Sequence, residues 1–227
     1  MKLCVALDLP TKDENIKLVQ NSYGLDIWFK VGLRAYIRDG NDIIYDIKNI
    51  DKNFKIFLDL KLYDIPNTMA TTALELCRLP IDMFNIHASS GYEAMSEVIR
   101  QTNDIKNRPK IIAVTALTSF DEVGFEQIYN DNIITKVNEF ATLSHKAGLD
   151  GVVCSAFESI DIKRHTEQNF LTVSPGIRQF GEKSNDQKRV ADIQKAKDSL
   201  VDMAVVGRPI YNSSNPYETT KKILGQL

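Results

Sequence analysis

The chain is poor in the residues that build metal centres and covalent cross-links. It carries three cysteines and three histidines. Cys4, Cys77 and Cys154 lie far apart and form no Cys-x-x-Cys, and His87, His145 and His165 show no ligand spacing. An odd, scattered set of cysteines suits buried reduced thiols and not a disulfide framework. No structural metal is expected. The fingerprints GxGxxG and GxxxxGK are absent, which removes the common Gly-rich phosphate cradles. No apolar run approaches the length of a membrane span. The run before Asp8 and Pro10 is too short for a secretory core, so a cytoplasmic location is expected. There is no excess of basic residues. Lys and Arg number 28 against 30 Asp and Glu, for a formal charge of −2. That balance argues against a nucleic-acid or membrane-surface partner. No linker or low-complexity tract interrupts the 227 residues, and one domain over residues 1–227 is expected.

What is present is a repeating order of short apolar runs and helical patterns. Strand candidates are Leu3–Leu9, Ile27–Gly32, Ile56–Leu62, Met83–Ala88, Lys110–Leu117, Gly151–Ala156, Leu171–Ser174 and Met203–Val206. Several are continuously apolar, as strands covered by helices are. Thr11 to Glu14 reads as a capping box. Helical spacing follows over Asn67–Leu79 and Ile133–Ala147, with Gly148 suited to the C′ position. Weaker spacing covers Asp121–Tyr129, and two last helices are expected over Asn185–Leu200 and Pro216–Leu224. Asn67 is also a candidate cap for the helix after Pro66. Eight strands alternating with helices predict a single (β/α)8 TIM barrel, of class α/β. An open doubly wound sheet is the alternative.

In a barrel of this kind the chemistry gathers at the C-terminal ends of the strands. The unusual polar residues fall there: Asp8, Lys30, Asp59, Lys61, Asp64, Asn85, His87, Thr115 to Ser119, Arg178 and Arg208. The third strand is the most unusual, with charges set among leucines. Successive side chains of a strand point to opposite faces. Alternation therefore puts Asp59 and Lys61 on one face and Leu58, Leu60 and Leu62 on the other. A buried ion pair that fixes the register is the bland reading, although such pairs are weak sources of stability. A strand-end lysine with a shifted pKa is also a useful acid.

The stretch "FLDLKLYDIPNT" closely resembles the signature of orotidine 5′-monophosphate decarboxylases. Other matching pieces follow in order: "ALD" at 6–8, "FKVG" at 29–32, "TALTS" at 115–119, "PGIR" at 175–178, "DQ" at 186–187 and "VVGRPI" at 205–210. Tyr63 stands where many relatives carry another residue, often His. The resemblance implies conversion of orotidine 5′-monophosphate to uridine 5′-monophosphate (UMP) and carbon dioxide, without metal or organic cofactor.

Residue by residue, the resemblance makes Lys61 the proton donor to C6 and sets Asp59 near the leaving carboxylate. Lys30 and Asp64 complete an alternating row of charges. It further implies a homodimer in which Asp64 and Thr68 serve the partner's site. Asp8 and Lys30 match ribose-binding positions, as does Thr68 across the dimer. Thr118 matches a pyrimidine contact, with Ser119 as its neighbour. Gln187, Gly207 and Arg208 match phosphate-binding positions, and Arg178 a ligand-binding one. The polar segment 175–187, with Gly176 and Gly181, reads as a lid over a phosphate site after strands seven and eight. Asn85 and His87 stay open between ligand contact and filling of the barrel mouth. Two rivals remain: a magnesium-dependent keto-sugar-phosphate decarboxylase or aldolase sharing the Asp-x-Lys-x-x-Asp core, and a silent nucleotide-phosphate binder. Lys30 speaks against the first, since those relatives tend to place an acidic residue near there. The ordered charges speak against the second.

Overall fold

The computed structural model describes residues 1–178 and 189–227. The strands, in chain order, are β1 (Lys2–Ala6), β2 (Trp28–Gly32), β3 (Lys55–Leu62), β4 (Met83–His87), β5 (Lys110–Val114), β6 (Gly151–Val153), β7 (Leu171–Ser174), β8 (Ile177–Arg178), β9 (Ala191–Asp192) and β10 (Met203–Val206). Eight of them close a parallel barrel in the order β1-β10-β7-β6-β5-β4-β3-β2, and β8 with β9 forms a small parallel pair. The expected TIM barrel is the observed fold, and the open sheet is excluded. The helices between the strands are α1 (Lys12–Gln20), α2 (Leu33–Asp39), α3 (Asp42–Ile50), α4 (Pro66–Leu76), α5 (Gly91–Thr102), α6 (Glu122–Tyr129), α7 (Ile133–Lys146), α8 (Ser159–His165), α9 (Ile193–Asp198), α10 (Arg208–Tyr211) and α11 (Pro216–Leu224).

The period of two along each strand divides the core. Leu3 and Val5, Ile56 and Leu58, and Ile111 and Ala113 pack outward with the helices. Cys4 and Ala6, Phe57, Ile112 and Val114, and Met203 and Val205 form a second cluster that fills the barrel. That two-sided burial is why the strands read as unbroken apolar runs. At Gly151 a side chain has no room, because an added Cβ would stand 2.3 Å from the Leu171 carbonyl oxygen of the neighbouring β7.

Local signals placed several elements well. Thr11 and Glu14 cap α1 reciprocally, Gly148 has φ +87° after α7, and Asp121 caps α6 through the Gly124 N–H. Three expected strands were too long. Pairing stops at Ala6, Val114 and Val153, where the chain leaves the barrel for the rim loops. Of the expected helix Asn185–Leu200, the described residues form only α9, which Asp192 caps by accepting from the Lys195 N–H at 2.6 Å. Its first residues, 185–188, lie outside the described residues. Asn67 does not cap α4, because Pro66 already occupies the first turn and Ile65 stands at the cap position.

The N-terminal rim of the barrel carries one device three times. Asp82 donates its N–H to the Ile56 carbonyl at 2.9 Å, and its Oδ2 accepts the Ile56 N–H at 2.9 Å. Asp150 does the same with Ile111, at 2.9 and 2.7 Å. Asp202 does so with Thr172, at 3.1 and 2.8 Å. Each carboxylate is neutralised, by Lys48 and Lys55, by Arg108 and by Lys163 respectively. These clasps join β3 to β4, β5 to β6 and β7 to β10 at the end remote from the polar rim.

Candidate active site

The opposite, C-terminal rim opens into a cavity of about 290 Å³. Its floor is apolar, from Ala6, Phe57, Val114, Val153 and Val205, and its wall carries Asp8, Lys30, Asp59 and Lys61. The charges form a connected row. Lys30 Nζ lies 3.4 Å from Asp8 Oδ1 and 3.3 Å from Asp59 Oδ2. Lys61 Nζ lies 2.6 Å from Asp59 Oδ1. Burial alone would raise the Asp59 carboxyl, but the Lys30 and Lys61 ammoniums together outweigh it and hold the group below its usual range. Burial likewise presses Lys30 downward, and Asp59 and Asp8 outweigh it, so this lysine stays charged. Charge pairing of this kind is what makes buried ions tolerable.

Asp59 and Lys61 meet, though not by simple alternation. Lys61 has φ +55°, a left-handed conformation that costs a non-glycine residue about 1–3 kcal/mol. The β3–β4 register shifts between Leu58 and Leu62 to accommodate it. Asn85, fully buried on β4, fills the gap. Its Oδ1 accepts the Lys61 N–H at 2.7 Å, and its Nδ2 donates to Asp59 Oδ1 at 2.7 Å. Asn85 thus replaces the missing ladder bond and orients the carboxylate. A polar residue between Phe84 and Ile86 in a buried strand was its only signal in the sequence.

Gly32 had no expected role beyond its place in "FKVG". An added Cβ there would stand 2.9 Å from Lys30 Nζ and 3.3 Å from Asp8 Oδ1. The glycine in "FKVG" therefore leaves room for the Asp8–Lys30 pair.

Thr118, Ser119, Arg178, Gly207 and Arg208 also line the cavity, as does Tyr211, which no sequence motif marked. Thr118 and Arg178 are buried. At Gly207 an added Cβ would meet Tyr211 Cε1 at 3.2 Å and Ala6 Cβ at 3.3 Å. His87 is not among the residues lining the cavity. Its Nδ1 lies 2.7 Å from Ser89 Oγ and its ring packs on Tyr63, while burial and then the Lys61 charge depress its pKa. Asp64 and Thr68 are exposed and line no part of the cavity of their own chain. Asp64 Oδ1 accepts the Ile65 N–H at 2.7 Å. Gln187 lies outside the described residues, as does most of the expected lid.

A family model described as "Orotidine 5'-phosphate decarboxylase / HUMPS family" matches residues 1–223. The chain belongs to the orotidine 5′-phosphate decarboxylase family. It is 57% identical to the orotidine 5′-phosphate decarboxylase of Sulfurimonas denitrificans and 56% identical to that of Nitratiruptor, over the full length of each pair. The crystal structure of orotidine 5′-phosphate decarboxylase from Lactobacillus acidophilus superimposes with a TM-score of 0.84 at 31% identity, covering 99% of this chain and 98% of the other. Among the described residues no cluster of three or more His, Cys, Asp or Glu side chains is arranged to hold a metal ion. Among them, too, no helix is long and apolar enough to cross a membrane.

Proposed function

We infer that this chain decarboxylates orotidine 5′-monophosphate to UMP and carbon dioxide, the last step of de novo UMP synthesis. The observation that carries the reading is the row Asp8–Lys30–Asp59–Lys61, held by Asn85 at the mouth of the cavity. The bond from C6 to the carboxylate breaks, carbon dioxide departs, and the bonding electrons remain on C6. The Lys61 ammonium stabilises that charge and then gives C6 its proton. The neutral amine left behind regains a proton from solvent. Asp59, 2.6 Å from the Lys61 Nζ, orients that lysine and faces the leaving carboxylate.

Magnitudes rank these effects. Two carboxylates at about 4 Å repel by about 4 kcal/mol at an effective dielectric near 20, and full relief is worth roughly three decades of rate. The slowest uncatalysed reactions require ~23 kcal/mol or more. Repulsion is therefore a minor part, and stabilisation of the carbanion by Lys61 the larger one. Asp8 and Lys30 bind ribose hydroxyls, and Thr118 faces the pyrimidine. Arg178, Gln187, Gly207 and Arg208 take the phosphate end, whose binding energy helps order the reacting centre.

The active unit in this reading is a homodimer. Asp64 and Thr68, which line no part of their own cavity, serve the partner's in this reading, with Asp64 continuing the row beside Lys61. Tyr63 and Ile65, 63% and 66% exposed beside Asp64, suit a covered protein face. Three free thiols suit a reducing, cytoplasmic compartment. The reaction needs no cofactor. The magnesium-dependent reading is not favoured, because Lys30 occupies the place where an acidic ligand is expected. Mixing the protein with orotidine 5′-monophosphate should abolish the orotate absorbance equally with and without EDTA, and Lys61→Ala should prevent it. An unchanged spectrum with wild-type protein would overturn the assignment.

A further inference from the structure

Outside the charged row, the half-buried Arg189 and the buried Glu158 form an ion pair close to the cavity. Arg189 begins the described chain after residue 188, and its Nη1 pairs with Oε1 of the buried Glu158. Among the described residues it also bonds three successive carbonyls. Nη2 donates to the oxygens of Ala116 and Leu117, each at 3.3 Å, and the backbone N–H donates to that of Thr118 at 3.3 Å. Glu158 Oε2 in turn accepts the Ser155 N–H at 2.8 Å. One guanidinium thus joins the loop after β5, the loop after β6 and the approach to β9. Ala116, Leu117 and Thr118 all line the cavity, whereas neither Arg189 nor Glu158 does.

We propose that Arg189, oriented by Glu158, is a positioning residue that sets Thr118 for the pyrimidine ring. The proposal rests on the decarboxylase reading. Three carbonyls engaged by one residue fix the backbone of 116–118, so the Thr118 side chain is presented to the cavity at a set height. A planar fork reaches a carboxylate and two carbonyls at once, and a lysine ammonium, as a point charge, does not reproduce that geometry.

A double-mutant cycle tests it. Thr118→Ala is expected to lower kcat/KM by roughly tenfold, the scale of one lost hydrogen bond to substrate. In an Arg189→Ala or Arg189→Lys background, the same change should cost less than about threefold, because coupled residues are not additive. Added guanidinium ion should restore part of the Arg189→Ala loss and none of the Thr118→Ala loss. An equal Thr118→Ala factor in both backgrounds would overturn the proposal, since a merely structural arginine leaves that factor unchanged. If Arg189→Ala does not fold, Glu158→Gln takes its place in the cycle with the same criterion.

Binding separates this proposal from the decarboxylase reading. Wild-type protein that leaves orotidine 5′-monophosphate intact refutes the activity. In calorimetry, Arg189→Ala should weaken UMP about tenfold and ribose 5-phosphate by less than about threefold. Equal weakening of both ligands would refute the positioning role.

Discussion

Asn85→Ala tests how the catalytic lysine is held. The Asn85 amide spans the Lys61 N–H and Asp59 Oδ1, each at 2.7 Å. Alanine leaves a buried N–H without a partner, a cost of about 1–3 kcal/mol, and removes a donor to a carboxylate, worth about 1.5–3 kcal/mol. The two losses share a site and do not add fully, so a total near ~3 kcal/mol is expected. For a chain of this size that corresponds to a fall in Tm of roughly 6–12 °C. Activity should suffer separately. The left-handed turn at Lys61 is strained, and without Asn85 the backbone relaxes and carries Nζ away from Asp59. A misplacement of about 1 Å costs on the order of a hundredfold in rate. Thermal melting and decay of the orotate chromophore, measured on the same preparation while it remains folded, read the two effects. A variant with the lowered Tm but a kcat within about threefold of wild type, less than ~0.7 kcal/mol, would refute the claim that Asn85 positions Lys61.

Three further outcomes are expected. Gly32→Ala should fold with little change in Tm, because its new methyl meets only the flexible end of Lys30 and the Asp8 carboxylate. It should raise KM for orotidine 5′-monophosphate by roughly tenfold or more, the cost of a displaced charged hydrogen bond; an unchanged KM would count against the Asp8–Lys30 pair as a binding element. The Asp59 pKa is lowered on folding, so the unfolded chain binds the proton more readily. Its contribution to stability is present above the unfolded value of about 3.9 and is lost as pH falls through the folded value. Denaturant melts below about pH 5 should show a shallower acid limb for Asp59→Asn than for wild type, and identical slopes would refute the linkage. Lys61→Ala and Asp64→Asn should each be nearly inactive alone and regain activity when reassembled together. Confirmed mixed dimers without recovery would sink the shared site.

The barrel was legible because its strands are buried on both faces and its rim residues break that pattern. Asp8, Lys30, Asp59, Lys61 and Arg208 stand out as polar groups at strand ends, and the cavity gathers all five. What stayed hidden were properties of backbone and partner. Nothing in "DLKLYD" announces a lysine at φ +55°, because a left-handed residue is normally signalled by glycine or asparagine. Asn85 looked equally suited to filling the mouth, since its role depends on a ladder bond that the Lys61 turn removes from the neighbouring strand. The strand ends were overestimated at Leu7–Leu9, Thr115–Leu117 and Cys154–Ala156 because the loops beyond them are themselves partly apolar and buried. Hydrophobicity reports burial there and not pairing.

The aspartate clasps on the far rim give the barrel a hidden grouping. Their carboxylates tie β3 to β4, β5 to β6 and β7 to β10, their carbonyls accept the N–H groups of Lys110, Leu171 and Lys2 on the next strand, and no aspartate of this kind bonds β2 among the described residues. A closed barrel usually has no privileged place to open. This one has a reinforced band that runs from β3 round to β1 and a single strand, β2, outside it. Amide exchange should therefore start along β2 and reach the clasped strands last, so the strand that carries Lys30 would yield before the one that carries Asp59 and Lys61.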